Sequence, residues 1–253
     1  MANLDQIRQL NVRYGKKGPI SESTKGFSIN ERLDPKALEK ALNESISNLG
    51  PQFTTYFDVG MDADVALLFI DVCSFSTRFG GLYGKDLEKY FDEYYDIVIP
   101  KIYKHSGEID KIIGDGIICI FGPPFYNGTY TEAIKQADSC AKEIIIATKG
   151  TKFSSKIAFH CGSINYFKNK SGLYNEYTVI GKPLTELFRL ETISYDDEIN
   201  YYDETKVREL YSERISNFES GGVQKATWLH DEVRITNLKG VSYSKYFHVE
   251  YNP

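Results

Sequence analysis

The most informative segment for the fold is EIDKIIGDGIICIFG, residues Glu108–Gly122. Most of it is apolar and β-branched, which is typical of a buried hairpin. Asp115 lies near its middle between two glycines, and Asp-Gly is a preferred pair for a tight type I′ turn, in which both central residues have positive φ. The stretch therefore predicts a hairpin with a carboxylate at its tip, and the turn alone would account for that carboxylate.

Helix and strand patterns alternate on both sides of this hairpin. Before it, DVALLFIDV predicts a buried strand and KDLEKYFDEYYDIVIPKIYKHSG an amphipathic helix. After it, TEAIKQADSCAKEIIIATKG predicts a second helix and KIAFHCGSI a strand. The order β-α-β-β-α-β is then followed by further helix and strand patterns. We therefore predict an α+β fold with a ferredoxin-like βαββαβ core and added strands.

The N-terminal part of the chain has a different pattern. DPKALEKALNESISNLGP predicts a helix that is capped by Asp34 and closed by Gly50. Its apolar stripe would pack on the main domain or on a partner chain. We expect residues 1–60 to form an N-terminal helical extension and residues 61–253 to form the main domain.

Composition limits the classes of function. The net charge of -5 offers no excess of positive charge for broad binding of nucleic acid. No apolar run is long enough to span a membrane, and the N-terminus lacks the apolar region of a secretory signal. The four cysteines contain no C-x-x-C pair, which argues against a zinc site. We therefore expect a cytoplasmic protein that binds neither nucleic acid nor membranes.

A second carboxylate lies at the end of the first predicted strand. Asp71 ends LLFIDV, and the following CSFSTRFGG predicts a helix start, where the amides of Ser74, Phe75 and Ser76 could hold phosphate oxygens. Polar residues before a helix are more commonly plain caps. In a βαβ arrangement, however, the end of this strand lies beside the hairpin that carries Asp115. Two such carboxylates can hold two divalent cations of the Mg²⁺ or Mn²⁺ type.

Five motifs resemble, in order, those of the class III nucleotide cyclases, which include the adenylate and guanylate cyclases. They are LLFIDVCSFST, KIIGDGIICIFG, IAFHCGSI, YTVIGKPLTELFRLE and LKGVSYSKYFHVEY, and they span roughly residues 61–252. The resemblance implies that Asp71, Asp115 and the backbone carbonyl of Val72 hold two ions of Mn²⁺ or Mg²⁺. It also implies a reaction in which the 3′-hydroxyl of a nucleoside triphosphate attacks its own α-phosphate and pyrophosphate leaves.

The resemblance assigns further residues to the substrate. Arg189 matches an arginine that stabilises the phosphate in the transition state, and Thr185 replaces the asparagine that the family carries four residues earlier. Lys239 matches a lysine that meets the triphosphate. Lys111 and Thr178 match the two positions that read the base.

The identity of the base is open between two readings. Lys111 and Thr178 would allow adenine, and a position 111 that is not acidic disfavours guanine. With Thr185 in place of the asparagine and with no recognisable sensor domain, the chain resembles the stand-alone bacterial pyrimidine cyclases of antiphage defence. We therefore expect UTP or CTP as substrate, with ATP as the alternative. The cyclic product would then act on a separately encoded, cyclic-nucleotide-gated effector.

Family members form active sites between two chains, which implies a two-fold homodimer here. One protomer would contribute Asp71 and Asp115. Its partner would contribute Lys111, Thr178, Thr185, Arg189 and Lys239. Two rival classes are a cyclase-like module that senses a nucleotide without turnover and a polymerase-palm relative. The first would show no metal-dependent turnover, and the second lacks a basic template-binding surface in this sequence.

Overall fold

The computed structural model describes residues 51–170, 175–219, 227–235 and 238–252. The helix predicted between Asp34 and Gly50 lies outside the described residues. Within the described ranges, no helix is both long enough and apolar enough to cross a bilayer.

The described part of the chain contains helices and strands in the predicted alternation. In chain order they are α1 (Pro51–Val59), β1 (Asp62–Val72), α2 (Phe75–Phe79), α3 (Lys85–Lys104), β2 (Glu108–Ile113), β3 (Gly116–Phe121), α4 (Tyr130–Thr148), β4 (Ser155–Lys170), β5 (Asn175–Ile180), α5 (Lys182–Glu191), β6 (Ile199–Tyr202), α6 (Lys206–Glu219), β7 (Thr227–Arg234) and β8 (Lys245–Asn252).

One mixed sheet organises these elements. Its strand order is β2-β3-β1-β4-β6-β8-β7, and β5 pairs with β4 beside this path. β1 is antiparallel to both of its neighbours, β3 and β4. The first four strands therefore form the predicted βαββαβ core, and β5 to β8 are the added strands. The prediction of an α+β ferredoxin-like core with additions is confirmed.

Helices cover both faces of the sheet, which explains why β1 is a nearly continuous apolar run. Leu68 and Ile70 belong to the core cluster packed under α3 and α4. Leu67 and Phe69 belong to the opposite cluster, which includes residues of α5. Because side chains alternate along a strand, Asp71 continues the second set and lies on the α5 side of the sheet.

The described end of the N-terminal extension, α1, packs on the main sheet. Phe57 is 7% exposed and meets the ring of Tyr166 on β4 edge-on, with ring centroids 5.0 Å apart. The predicted boundary after residue 60 falls between α1 and β1. The division into an extension and a main domain stays a prediction.

The hairpin is confirmed, but the predicted turn type is wrong. Ile113 pairs with Gly116, so the central residues of the turn are Gly114 and Asp115. Gly114 has φ +61°, whereas Asp115 is not among the described residues with positive φ. Positive φ at the first central residue alone is the type II′ pattern, which requires glycine there. Gly116 is the first residue of β3. Glycine is needed at this position because a Cβ would lie 2.3 Å from the Phe69 ring.

Candidate active site

Two carboxylates meet at one end of the sheet. Asp71 is the penultimate residue of β1, and the β1–β3 register brings the turn with Asp115 beside it. Burial, the charge of Asp115 and the charge of Glu191 together raise the pKa of Asp71 to about 7. Burial also raises the pKa of Asp115, whose carboxyl group is within hydrogen-bonding reach of Asp71. The structure therefore brings together the two carboxylates that the sequence predicts as a pair.

A lysine and a glutamate that sequence reasoning missed complete this cluster. Lys156 is directly opposite Asp71 in the β1–β4 ladder, and its Nζ lies 3.6 Å from Asp71 Oδ2. The same Nζ lies 2.7 Å from Oε1 of Glu191, the last residue of α5. Lys156 lowers the pKa of Asp71, yet burial and the neighbouring acids prevail. The sequence shows a lysine at the start of a strand, but only the register places it opposite Asp71.

The carboxylate pair fits a divalent cation by its charge. Three acids surround one ammonium group, so negative charge in a poorly solvated place is incompletely balanced. Asp71, Asp115 and the carbonyl of Val72 offer the hard oxygen ligands that Mg²⁺ and Mn²⁺ prefer. Within the described ranges, no group of three or more His, Cys, Asp and Glu side chains forms a metal cluster.

The segment after β1 is fixed beside the carboxylates. Ser74 has φ +52° and precedes the short helix α2, but its side chain forms no capping hydrogen bond. The simple cap interpretation therefore does not hold for Ser74. The Arg78 guanidinium donates to the carbonyl of Cys73 over 3.3 Å and holds the bend in place. The amides of Phe75 and Ser76 belong to the first turn, where N–H groups have no acceptor within the helix.

The two predicted base-reading residues meet within one chain. Lys111 Nζ donates to Thr178 Oγ1 over 3.4 Å, which joins β2 to β5. Asp110 Oδ2 lies 3.3 Å from the same Nζ. Strand pairing is irregular between Ile109 and Lys111, so Asp110 occupies a bulge next to the lysine. Sequence reasoning missed Asp110, although an acid-base pair within an apolar strand is the signal that could have revealed it.

Thr185 and Arg189 lie on one exposed face of α5. The other face carries Leu184, Leu187 and Leu190, which are buried. No hydrogen bond or ion pair joins Thr185 or Arg189 to the Asp71–Asp115 pair within the described part of one chain. The structure therefore presents these two side chains to the surroundings of the protomer.

Lys239 lies in the connection between β7 and β8, and its side chain is exposed. It lines a shallow surface hollow together with Ile235, Leu238, Val241 and Tyr243. The described residues of one chain place it in no hydrogen bond or ion pair with Asp71 or Asp115. Among the described residues of one chain, direct contacts thus join the predicted side chains only as Asp71 with Asp115 and as Lys111 with Thr178.

Solved structures share this architecture. The catalytic core of a rhodopsin-guanylyl cyclase with converted specificity, in complex with ATPαS, matches with a TM-score of 0.60 at 15% identity, over 75% of this chain and 97% of that chain. The guanylyl cyclase Cya2 matches with a TM-score of 0.56 at 19% identity, over 75% and 93%. The adenylyl cyclase CyaB from P. aeruginosa matches with a TM-score of 0.56 at 19% identity, over 75% and 94%. The chain therefore has the fold of class III cyclase catalytic domains.

Curated relatives add a more distant sequence similarity. Uncharacterized proteins of Mycobacterium tuberculosis and Mycobacterium bovis are each 27% identical over 138 residues, which is 52% of this chain. The chain spans 24% of the length of these relatives. No protein-family model matches the chain.

Proposed function

We propose that this chain is a nucleotide cyclase, a phosphorus-oxygen lyase that converts a nucleoside triphosphate to its 3′,5′-cyclic monophosphate and pyrophosphate. The observation that carries the proposal is the Asp71–Asp115 pair, set in a fold shared with solved adenylyl and guanylyl cyclases. A pair of acids that raises the pKa of one member to about 7 is costly for a purely structural site.

The reaction forms one bond and breaks one bond. The 3′-oxygen bonds to the α-phosphorus, the bond from this phosphorus to the β-bridging oxygen breaks, and the hydroxyl proton is released. Two bound Mg²⁺ or Mn²⁺ ions would supply charge neutralisation and a more acidic hydroxyl. Asp71, Asp115 and the Val72 carbonyl would hold them.

The other predicted residues bind and orient the substrate. The amides of Ser74, Phe75 and Ser76 donate to phosphate oxygens beside the carboxylates. The planar guanidinium of Arg189 donates N–H groups to the phosphate oxygens as negative charge develops on them. Thr185 orients the ribose with one hydroxyl, and Lys239 binds the triphosphate.

We infer a two-fold homodimer with shared sites, since no hydrogen bond or ion pair among the described residues of one chain joins the predicted groups to the carboxylate pair. Ile113 and Ile180, on the same strands as Lys111 and Thr178, are 48% and 53% exposed. Apolar side chains of this size next to a predicted site favour a covering partner surface. A second chain would bring Lys111, Thr178 and the exposed face of α5 to the Asp71–Asp115 pair of the first.

For the base we propose uracil or cytosine, with adenine as the alternative. The pyrimidine assignment is supported by Thr185 in place of the asparagine, which changes how the ribose is held. The adenine alternative is supported by the 3.4 Å contact between Lys111 and Thr178, which keeps the two base-reading groups together. A cyclic pyrimidine nucleotide would act as a second messenger in antiphage signalling through a separate effector, and this role depends on a pyrimidine product.

The test is turnover with each substrate. The purified chain is incubated with Mn²⁺ and separately with ATP, GTP, CTP and UTP, and products are identified by mass spectrometry. Cyclic UMP or cyclic CMP supports the pyrimidine assignment, and cyclic AMP supports the alternative.

Asp71→Asn is the control variant for this assay. Any true cyclase activity should vanish in this variant while its thermal unfolding stays cooperative. Tight binding of a triphosphate without any product would contradict the cyclase proposal and favour a nucleotide-sensing homologue.

A further inference from the structure

A second pair of ionisable side chains lies inside the chain, apart from the Asp71–Asp115 pair. His160 on β4 and Glu186 on α5 are 1% and 3% exposed, and His160 Nε2 lies 3.2 Å from Glu186 Oε2. Burying a charged carboxylate costs several kcal/mol of solvation, and a well-packed apolar pair is commonly as stable. The pair therefore calls for an explanation other than stability.

Glu186 joins four parts of the fold. Besides His160, its Oε1 accepts a hydrogen bond from Ser242 Oγ over 3.4 Å and lies 3.3 Å from Lys182 Nζ at the start of α5. Its backbone carbonyl accepts from the hydroxyl of Tyr202 on β6 over 2.9 Å. Ser242 belongs to residues 238–244 between β7 and β8, named here the Lys239 loop. One residue thus ties α5 to two strands and to this loop.

The loop is held at a second point by aromatic packing. Tyr243 of the Lys239 loop stacks on Tyr202, with ring centroids 4.6 Å apart. The His160 ring meets both tyrosine rings edge-on, at 5.2 Å and 5.6 Å. Lys182 Nζ also donates to Ser242 Oγ over 2.7 Å. The loop is therefore attached to the same buried pair through two consecutive residues.

One nitrogen of the His160 ring lacks a partner in this cluster. His160 Nδ1 is buried and has no partner among the described residues, so an imidazolium would leave one N–H unsatisfied. With a proton on Nε2 the ring donates to Glu186, whose carboxylate also lies 3.3 Å from Nζ of the exposed Lys182. Burial opposes ionisation of Glu186, but His160 and Lys182 outweigh it and lower its pKa.

The pair lies directly behind three groups of the proposed site. Thr185 precedes Glu186, Arg189 lies one turn further along α5, and Lys239 lies three residues before Ser242. We propose that His160 and Glu186 are positioning residues that fix the Lys239 loop against α5. The triphosphate lysine and the two α5 side chains would then keep one relative arrangement. This inference rests on the proposed function for the roles of those three residues.

The experiment compares two serines of the same loop in the full chain. Both serines are exposed, but Ser242→Ala removes a hydroxyl that bonds Glu186 and Lys182. Ser244 bonds Ile235 through its backbone carbonyl, which Ser244→Ala retains. We expect Ser242→Ala to speed hydrogen–deuterium exchange across residues 238–244. We also expect it to raise KM for the preferred triphosphate about tenfold, as for one hydrogen bond to a charged group, with kcat within about twofold. Ser244→Ala should change neither quantity.

Glu186→Gln provides the second variant, because it keeps the side-chain shape and removes the charge. It should loosen the same loop, and combining it with Ser242→Ala should add little, since both changes break one network. Equal exchange of the loop in wild type, Ser242→Ala and Glu186→Gln would overturn the proposal. If the wild type shows no turnover, the proposed function fails separately, and loop exchange together with triphosphate binding still decides this inference.

Discussion

Asp71 is the residue on which most of the chemistry depends. It is largely buried at the end of β1, and its charge is opposed by Asp115 and Glu191 and favoured by Lys156. A carboxylate in this position is unfavourable in the free protein and becomes favourable when a cation is bound. The charged carboxylate of Asp71 is therefore favourable for metal binding but unfavourable for the stability of the metal-free protein.

This opposition predicts the effect of removing the second carboxylate. Asp115→Asn should lower turnover by more than the roughly 10–100-fold that loss of an outer-shell metal partner costs. The same change should raise the thermal unfolding midpoint in EDTA at pH 8 by about 2–4 °C for each kcal/mol of repulsion removed. Asp92→Asn, at an exposed site on α3, is the matched control and should change neither. A variant that is less stable than wild type in EDTA would contradict the repulsion.

The raised pKa of Asp71 predicts a pH dependence of metal binding. Its folded pKa of about 7 lies above the ordinary 3.8, so the folded state holds an extra proton between these values. The contribution of this group to stability is therefore present at low pH and is lost as pH rises towards 7. Mn²⁺ must displace the proton, so its affinity should rise about tenfold per pH unit below 7 and level off above it.

Titration of the free protein with Mn²⁺ at pH 6, 7 and 8, followed by electron paramagnetic resonance, measures this dependence. In Lys156→Met, the pH at which the Mn²⁺ affinity levels off should be higher, because the lysine lowers the pKa of Asp71. An affinity that is constant from pH 6 to pH 8 would show that Asp71 is ionised throughout.

At the scale of elements, the site depends on how closely the hairpin approaches β1. Gly116 opens β3 against the ring of Phe69, whose partner in the ladder is Ile118, and the absence of a Cβ lets the two strands close at this point. A Cβ there would also lie 3.3 Å from Asp71 Oδ1. The glycine thus serves the packing and the carboxylate pair together.

Gly116→Ala should therefore reduce both stability and metal binding. Overpacking against the Phe69 ring should cost about 1–3 kcal/mol in the free energy of unfolding, measured by urea denaturation. The displaced carboxylate should weaken Mn²⁺ affinity in the same variant. Gly81→Ala is the control, since a Cβ at Gly81 meets no atom within 4 Å. Full Mn²⁺ affinity in a folded Gly116→Ala protein would contradict the role given to the close approach.

At the scale of the whole molecule, the proposed dimer makes a quantitative prediction. Asp71→Ala and Arg189→Ala chains should each be inactive alone, since every site lacks one member. A mixture refolded at equal concentration forms about half mixed dimers, each with one intact site, so activity should return to about a quarter of wild type. The assay is product formation, with dimer exchange checked by native mass spectrometry. Mixed dimers that form and stay inactive would rule out shared sites.

Local sequence patterns are sufficient to predict the core of the fold. The apolar run before Asp71, the Glu108–Gly122 hairpin and the two amphipathic helices predict the βαββαβ order, because their periods and turn residues are local properties. The same local reasoning predicts Asp71 and Asp115 as a pair, since both lie at strand ends. It also predicts that Thr185 and Arg189 share a helix face.

Contacts between side chains that are distant in sequence could not be predicted in this way, because they depend on how the strands and helices pack. Lys156 stands opposite Asp71 through the β1–β4 register, and His160 reaches Glu186 through the packing of α5 on β4. The type II′ turn likewise follows from the strand pairing that includes Gly116. A one-residue change in register would send each side chain of a strand to the other face, and register is fixed by the whole sheet. For that reason, the carboxylate pair could be predicted from the sequence, whereas its lysine and the buried histidine behind α5 could not.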